Sequence, residues 1–131
     1  MRMTAKATVV LVEDSPTQAR AIAGYLEQFN IEVVVCGDGP PGIAATQALR
    51  PAAVILDVNL PTMDGYRTAR QIRRNPATQD IPLIMLTVMD GTIDLVKGLN
   101  HGADHYIPKG PNAAEDLWRT LCAFGVIDWQ P

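Results

Sequence analysis

The sequence predicts an α/β domain: a doubly wound, five-stranded parallel sheet with five helices on its two faces. Three observations carry that prediction. Five short apolar runs, Ala7–Val12, Glu32–Cys36, Ala53–Asp57, Ile81–Leu86 and His105–Ile107, alternate with segments of helical spacing, the pattern of βαβ units. Val9, Val10, Leu11 and Val12 are apolar at successive positions, as in a strand covered on both faces. Polar groups stand where the runs stop: Glu13 and Asp14, Asp57, Thr87 and Lys109.

The elements follow in order. After the first run, Ser15 reads as an N-cap, Pro16 suits the first helical turn and Gln18 completes a capping box. Ala19, Ile22, Ala23 and Leu26 then repeat at helical spacing. Gly37-Asp38-Gly39 breaks the second strand, and Pro40-Pro41 opens an alanine-rich helix ending near Arg50. Pro51 separates it from the third strand, which delivers Asp57 to the point where Pro61 bars further pairing. Asp64-Gly65 supplies turn chemistry. The helix from about Tyr66 to Arg74 turns Tyr66, Ala69 and Ile72 inward and reads as carrying Arg67, Arg70, Arg73 and Arg74 on a solvated face. Asn75-Pro76 ends it, and the fourth strand leads to Thr87. A fourth helix starts at Asp90-Gly91-Thr92, buries Ile93, Val96 and Leu99, and closes at Asn100-His101-Gly102. The short fifth strand leads to Lys109, and a last helix over about Asn112–Phe124 buries Ala114, Leu117, Leu121 and Phe124.

Composition sets the bounds. At 131 residues, 47% hydrophobic and 19% charged, the chain has the make-up of one soluble globular domain. Lys plus Arg 11 against Asp plus Glu 14 gives −3, which argues against a nucleic-acid footprint over the whole domain. Neither a secretory signal nor a membrane span is legible, so a cytoplasmic location is expected. Cys36 and Cys122 read as thiols in a reducing compartment, and His101 and His105 as surface or satisfied polar groups without a third ligand. Residues 1–125 read as the domain and 126–131, with Trp129, as a tail or the start of a linker.

In the wound order 2-1-3-4-5, the ends of strands 1 and 3 meet at the switch point where such sheets bind ligands. Glu13, Asp14, Asp57, Thr87 and Lys109 then face one crevice. At an effective dielectric near 20, each carboxylate pair at ~4 Å costs on the order of 4 kcal/mol, so the cluster calls for compensation. A hard divalent cation with oxygen ligands, Mg²⁺ or Mn²⁺, is the natural partner, and Lys109 adds a further positive charge. Asp14 and Asp57 would ligate directly, Glu13 would hold a metal-bound water, and the Asn59 carbonyl would complete the set. An Asp carboxylate can itself attack phosphorus, with Lys109 and Thr87 meeting the transferred group's charge.

Four motifs, Leu-Val-Glu-Asp-Ser at 11–15, Ile-Leu-Asp-Val-Asn-Leu-Pro-Thr-Met-Asp-Gly at 55–65, Met-Leu-Thr at 85–87 and Gly-Ala-Asp-His-Tyr-Ile-Pro-Lys at 102–109, lie in order on the right elements. With them the chain closely resembles the receiver domain of two-component response regulators, the CheY-like family with a flavodoxin-like fold, over about residues 7–124. The wound order above is also the one this resemblance implies. The resemblance implies that Asp57 accepts a phosphoryl group from a sensor histidine kinase or a histidine phosphotransfer protein, with Thr87 and Tyr106 as the switch pair. It implies catalysis of nothing beyond the domain's own phosphorylation and dephosphorylation. It also places a downstream protein or output domain on the face of the fourth helix, fifth strand and last helix (Asp94, Lys97, His105, Trp118). The molecule is expected to be a monomer or a phosphorylation-dependent dimer, with no direct nucleic-acid or membrane binding.

Three departures stand out: Gly110 rather than proline follows Lys109, Val88 rather than a small residue follows Thr87, and Met89 is apolar where the family tunes self-dephosphorylation together with the Asn59 position. Met89 cannot orient an attacking water, so a longer-lived phosphoryl group is expected. Val88 and Gly110 leave open a degenerate receiver that binds partners without phosphorylation. A haloacid dehalogenase-type phosphohydrolase would need an acid where Asn59 stands. A flavin binder would need a hydroxyl- and glycine-rich loop where Glu13 and Asp14 would repel its phosphate.

Overall fold

The computed structural model describes residues 6–88 and 102–127. In these, β1 (Ala7–Val12), α1 (Pro16–Glu27), β2 (Ile31–Cys36), α2 (Gly39–Leu49), β3 (Ala53–Asp57), α3 (Gly65–Arg74), β4 (Leu83–Thr87), β5 (His105–Pro108) and α4 (Ala113–Ala123) follow one another. All pairings are parallel, in the order β2-β1-β3-β4-β5. Four helices stand among the described residues. The fifth expected one, over 90–99 with Ile93, Val96 and Leu99, lies outside them, as do Met89, Asp94, Lys97, His101 and Trp129.

Strand alternation splits the core between the two faces of the sheet. Val9, Leu11, Ile55, Ile84, Leu86 and Ile107 pack with Ala19, Ile22 and Leu26 of α1 and with Leu117 and Leu121 of α4. Val10, Val12, Val54, Leu56, Leu83 and Met85 pack with Ala69 and Ile72 of α3. The unbroken apolar runs of β1, β3 and β4 are thus explained, since every side chain meets a covered face. Ile127 is buried and Val126 packs against the same cluster as α4, so the packed chain runs on past residue 125.

The helix starts follow from capping. Ser15 accepts from the Gln18 amide at 3.3 Å, and Asp64 from the Arg67 amide at 2.8 Å. α2 begins at Gly39 rather than at Pro40, because Asp38 takes the Gly39 amide at 2.8 Å. Gly42 lets α2 lie against β1: a Cβ there would stand 2.6 Å from Val12 Cγ2. β4 begins at Leu83 rather than Ile81, two residues later than the apolar run suggests, since Pro82 has no N–H for a ladder.

Several side chains depart from the sequence reading. Arg73 is not part of a solvated face. Its guanidinium donates to the carbonyls of Gly102 (2.9 Å), Gln79 (2.8 Å) and Ile81 (2.6 Å) and pairs with Asp104 at 2.6 Å. Asp104 in turn accepts from the Leu83 amide at 2.8 Å, and its own amide donates to the Leu83 carbonyl at 2.8 Å. The pair therefore fastens α3 to the starts of β4 and β5. Phe124, expected in the core, is 38% exposed because the helix ends at Ala123 and no longer directs it inward. Ala114 is only partly buried. Trp118 does not stand on an outer face: it stacks on Phe29 with ring centroids 5.5 Å apart and packs against the α1–α4 core.

Candidate functional site

β1 ends in a buried carboxylate. The Glu13 amide donates to the Cys36 carbonyl at 2.9 Å, which carries the ladder one residue past the strand and fixes the backbone there. Glu13 is 2% exposed, whereas Asp14 beside it faces solvent. β3 brings Asp57 to the same level, also 2% exposed. The Asn59 amide donates to Asp57 Oδ1 at 3.2 Å.

Behind Asp57, Gly65 lets the first turn of α3 press onto the strand end. Its amide donates to the Val58 carbonyl at 2.8 Å, and a Cβ there would collide with the Asp57 carbonyl oxygen. The loop between them is tied down by Asp38, whose carboxylate takes the Thr62 hydroxyl and, at 3.2 Å, the Thr62 amide. The Thr62 hydroxyl is the main cause that holds the Asp38 pKa below the usual carboxylate value, opposed by some desolvation.

β5 supplies the counter-charge. The Lys109 amide donates to the Thr87 carbonyl at 2.8 Å, and the ammonium reaches Asp57 Oδ2 at 2.8 Å and Glu13 Oε1 at 3.2 Å. Burial works against the charged lysine, but the Asp57 and Glu13 carboxylates outweigh it and hold its pKa above the ordinary lysine value. Among the described residues no peptide bond is cis, so Gly110 follows Lys109 through a trans peptide. Thr87 is 3% exposed at the end of β4, one residue beyond the partner of Asp57 in the β3–β4 register. Val88 is 67% exposed. Tyr106, opposite Met85 in the β4–β5 register, packs partly buried against the α3-side core with its hydroxyl sheltered from solvent.

Each of Glu13, Asp14 and Asp57 offers a carboxylate oxygen within 4.8 Å of the others. Glu13 Oε2 is buried with no hydrogen-bond donor among the described residues. Its pKa is pushed up to about 7, first by desolvation and then by the Asp57 carboxylate. A buried carboxylate oxygen lacking a donor, beside two further carboxylates, is a donor set that fits a hard divalent cation. The residues the sequence picked for this role, Glu13, Asp14, Asp57 and Lys109, do come together.

Sequence reasoning missed Gln18 as a site residue. Its backbone fulfils the capping role, but its side-chain oxygen accepts from Lys109 at 3.1 Å instead of reaching back to Ser15. Gln18 and Lys109 also form one end of a largely apolar cavity of about 380 Å³ between α1 and α4, lined further by Ile22, Leu86, Pro111 and Ala114.

A parallel sheet in this order, with an acidic, lysine-bearing crevice at its switch point, defines a flavodoxin-like α/β domain built around one buried aspartate. The chain belongs to the response regulator receiver domain family, whose model matches residues 9–121. It is 32% identical over 117 residues to protein PilH of Pseudomonas aeruginosa, covering 89% of this chain and 96% of that one. It is 36% identical over 106 residues to the DNA-binding response regulator MtrA of Mycolicibacterium smegmatis, covering 81% of this chain and 45% of MtrA. The chain therefore spans about half the length of MtrA and nearly all of PilH. Among solved structures, the receiver domain of the sensor histidine kinase PA1611 from Pseudomonas aeruginosa, with a magnesium ion coordinated in its active site cleft, is similar. It superposes with a TM-score of 0.82 at 30% identity, covering 92% of this chain and 98% of that one. Receiver domains are signalling domains rather than classical enzymes. No helix among the described residues is long and apolar enough to cross a membrane.

Proposed function

We propose that this chain is a phosphorylation-dependent switch that accepts a phosphoryl group on Asp57 from a sensor histidine kinase or a histidine phosphotransfer protein. The observation that carries the reading is the contact of Lys109 Nζ with Asp57 Oδ2 at 2.8 Å, beside two further carboxylates. An Asp57 carboxylate oxygen attacks phosphorus of a phosphohistidine, the P–N bond breaks, and its electron pair leaves with the imidazole nitrogen. Lys109 meets the negative charge on the transferring group, and the Thr87 hydroxyl, at the end of the neighbouring strand, meets another oxygen. Glu13, Asp14, Asp57 and the Asn59 carbonyl would hold Mg²⁺ or Mn²⁺. That cation supplies charge neutralisation at the phosphoryl oxygens.

Readout runs through β4 and β5. A new dianion at Asp57 draws Thr87 toward it, and Tyr106, on the adjacent strand, follows. The Tyr106 ring is partly buried with its hydroxyl sheltered from solvent, which supports a part for it in the readout. Lys109 meets Asp57 although Gly110 follows it, and Val88 stands largely in solvent. Both observations support an active receiver over a degenerate one. The output face is read as that of the fourth helix expected from the sequence (Asp94, Lys97), β5 and α4, with His105 exposed and Trp118 drawn away by its packing on Phe29. We read residues 1–125 as the domain, with Val126 and Ile127 of the segment that follows packed onto its core, and assign it to the cytoplasm and to a monomer or phosphorylation-dependent dimer that touches neither nucleic acid nor membrane directly. Met89 is expected to lengthen the life of the phosphoryl group.

Beryllofluoride, a phosphoryl mimic, tests the reading. Stoichiometric binding in the presence of Mg²⁺ is expected, with loss in Asp57→Asn. Absence of binding by the wild-type chain overturns it.

A further inference from the structure

Lys109 has three ammonium donors, and three acceptors meet them: Asp57 Oδ2 at 2.8 Å, Glu13 Oε1 at 3.2 Å and Gln18 Oε1 at 3.1 Å. Two of the three belong to the acidic cluster, whose oxygens lie within 4.8 Å of one another. Both would be engaged elsewhere once the site works: Glu13 and Asp57 would help to hold a divalent cation, directly or through water, and Asp57 would carry the phosphoryl group. Gln18 belongs to neither process.

Its placement is built into the start of α1. Ser15 caps the helix, Pro16 opens it, and Gln18 stands three residues after the cap with its backbone amide on Ser15 Oγ at 3.3 Å. A glutamine there ordinarily turns its side chain back to the cap's own N–H. Here the side chain forgoes that bond and crosses to a residue 91 positions away in sequence. A local rule broken at the rim of a buried charged site marks a side chain selected for the site. The amide is also neutral, so it holds the ammonium without adding to the repulsion among Glu13, Asp14 and Asp57. With its oxygen on Lys109, its N–H donors are turned away from the ammonium.

We propose that Gln18 is a positioning residue for Lys109: its amide oxygen keeps the ammonium over the mouth of the cluster while the carboxylates are engaged by cation and phosphoryl group. This rests on the phosphoacceptor reading of Asp57. Without Gln18 the ammonium, on a flexible stem that is 22% exposed, swings toward solvent in the state in which it is needed.

The test uses the full chain, Mg²⁺ and acetyl phosphate as a small donor. Gln18→Met keeps the length and shape of the side chain and removes its acceptor. One hydrogen bond of ordinary net strength corresponds to about a five-fold effect. The maximal phosphorylation rate is therefore expected to fall about five-fold, with the Mg²⁺ dissociation constant and the melting temperature unchanged. The titration midpoint of the Lys109 ammonium, followed by NMR of the labelled side chain, is expected to move down in Gln18→Met and up in Gln18→Glu. A rate equal to wild type in Gln18→Met overturns the inference while leaving the Asp57 reading intact. So does a slower rate with an unmoved Lys109 midpoint, which marks a merely structural role. A wild-type chain that neither takes phosphate nor binds beryllofluoride overturns the Asp57 reading, and the inference falls with it.

Discussion

Lys109 and Asp57 belong to loop and strand ends that β4 keeps apart, yet their side chains meet at 2.8 Å over the end of β4. The ammonium is thus the bridge that joins the β3 and β5 sides of the crevice. Lys109→Met leaves two buried carboxylates without it. Breaking a buried pair costs about 3–5 kcal/mol. Lys109 is partly exposed and Glu13 can take up a proton, so about 1–3 kcal/mol is expected at pH 8, and less at pH 5. Urea denaturation at the two pH values measures both, and beryllofluoride binding should be lost.

Glu13 gives the metal-free protein an inverted pH dependence. Its folded pKa of about 7 lies above the ordinary glutamate value of 4.5, so the folded state binds the proton more tightly than the unfolded chain. The resulting stability is fully present below about pH 4.5 and is lost as pH rises through 7, on the order of 3 kcal/mol in all. In chelator, the wild type is expected to be more stable at pH 5 than at pH 8. Glu13→Gln should flatten that slope, and Mg²⁺ should reverse its sign by favouring the ionised cluster. Urea midpoints between pH 5 and 8 measure all three.

Gly65→Ala tests the close approach behind Asp57. The added methyl meets the Asp57 carbonyl and Val58 Cα, and overpacking of this kind costs about 1–3 kcal/mol. Because the collision is with the backbone that carries Asp57, weaker Mg²⁺ binding should accompany the loss of stability. Thermal melts and metal titration together check it.

The Arg73–Asp104 pair should be asymmetric under mutation. Arg73→Ala strips donors from three carbonyls and a carboxylate and is expected to cost about 2 kcal/mol. Asp104→Asn keeps an acceptor for the Leu83 amide and should cost about half as much. Chemical denaturation of the two variants side by side decides it.

Most of the sheet and the charged site are legible in the sequence for one reason. In a parallel sheet, whatever follows each apolar run arrives at the same end, so Glu13, Asp57, Thr87 and Lys109 can be gathered without knowing any distance. What escaped depends on where long side chains travel. Helical spacing places the Cα of Arg73 but does not say that its guanidinium will find carbonyls near residues 79–81 and 102. Gln18 has two acceptable destinations, the helix cap and Lys109, and only the folded geometry chooses between them. Phe124 failed because periodicity stops where the helix does, one residue earlier. Asp38 reads as a strand breaker, while its role in holding Thr62 needs a partner 24 residues away.

The span of the Lys109 contacts bears on biosynthesis. Glu13 and Lys109 are 96 residues apart, and Asp57 and Lys109 are 52. A nascent chain acquires all three carboxylates long before the ammonium that balances them leaves the ribosome. Until β5 docks, the acidic mouth is an uncompensated charge cluster, and Asp57 lacks its ammonium partner. The parallel topology therefore makes charge balance in the crevice a late acquisition, reached only when the segment after β5 is in place.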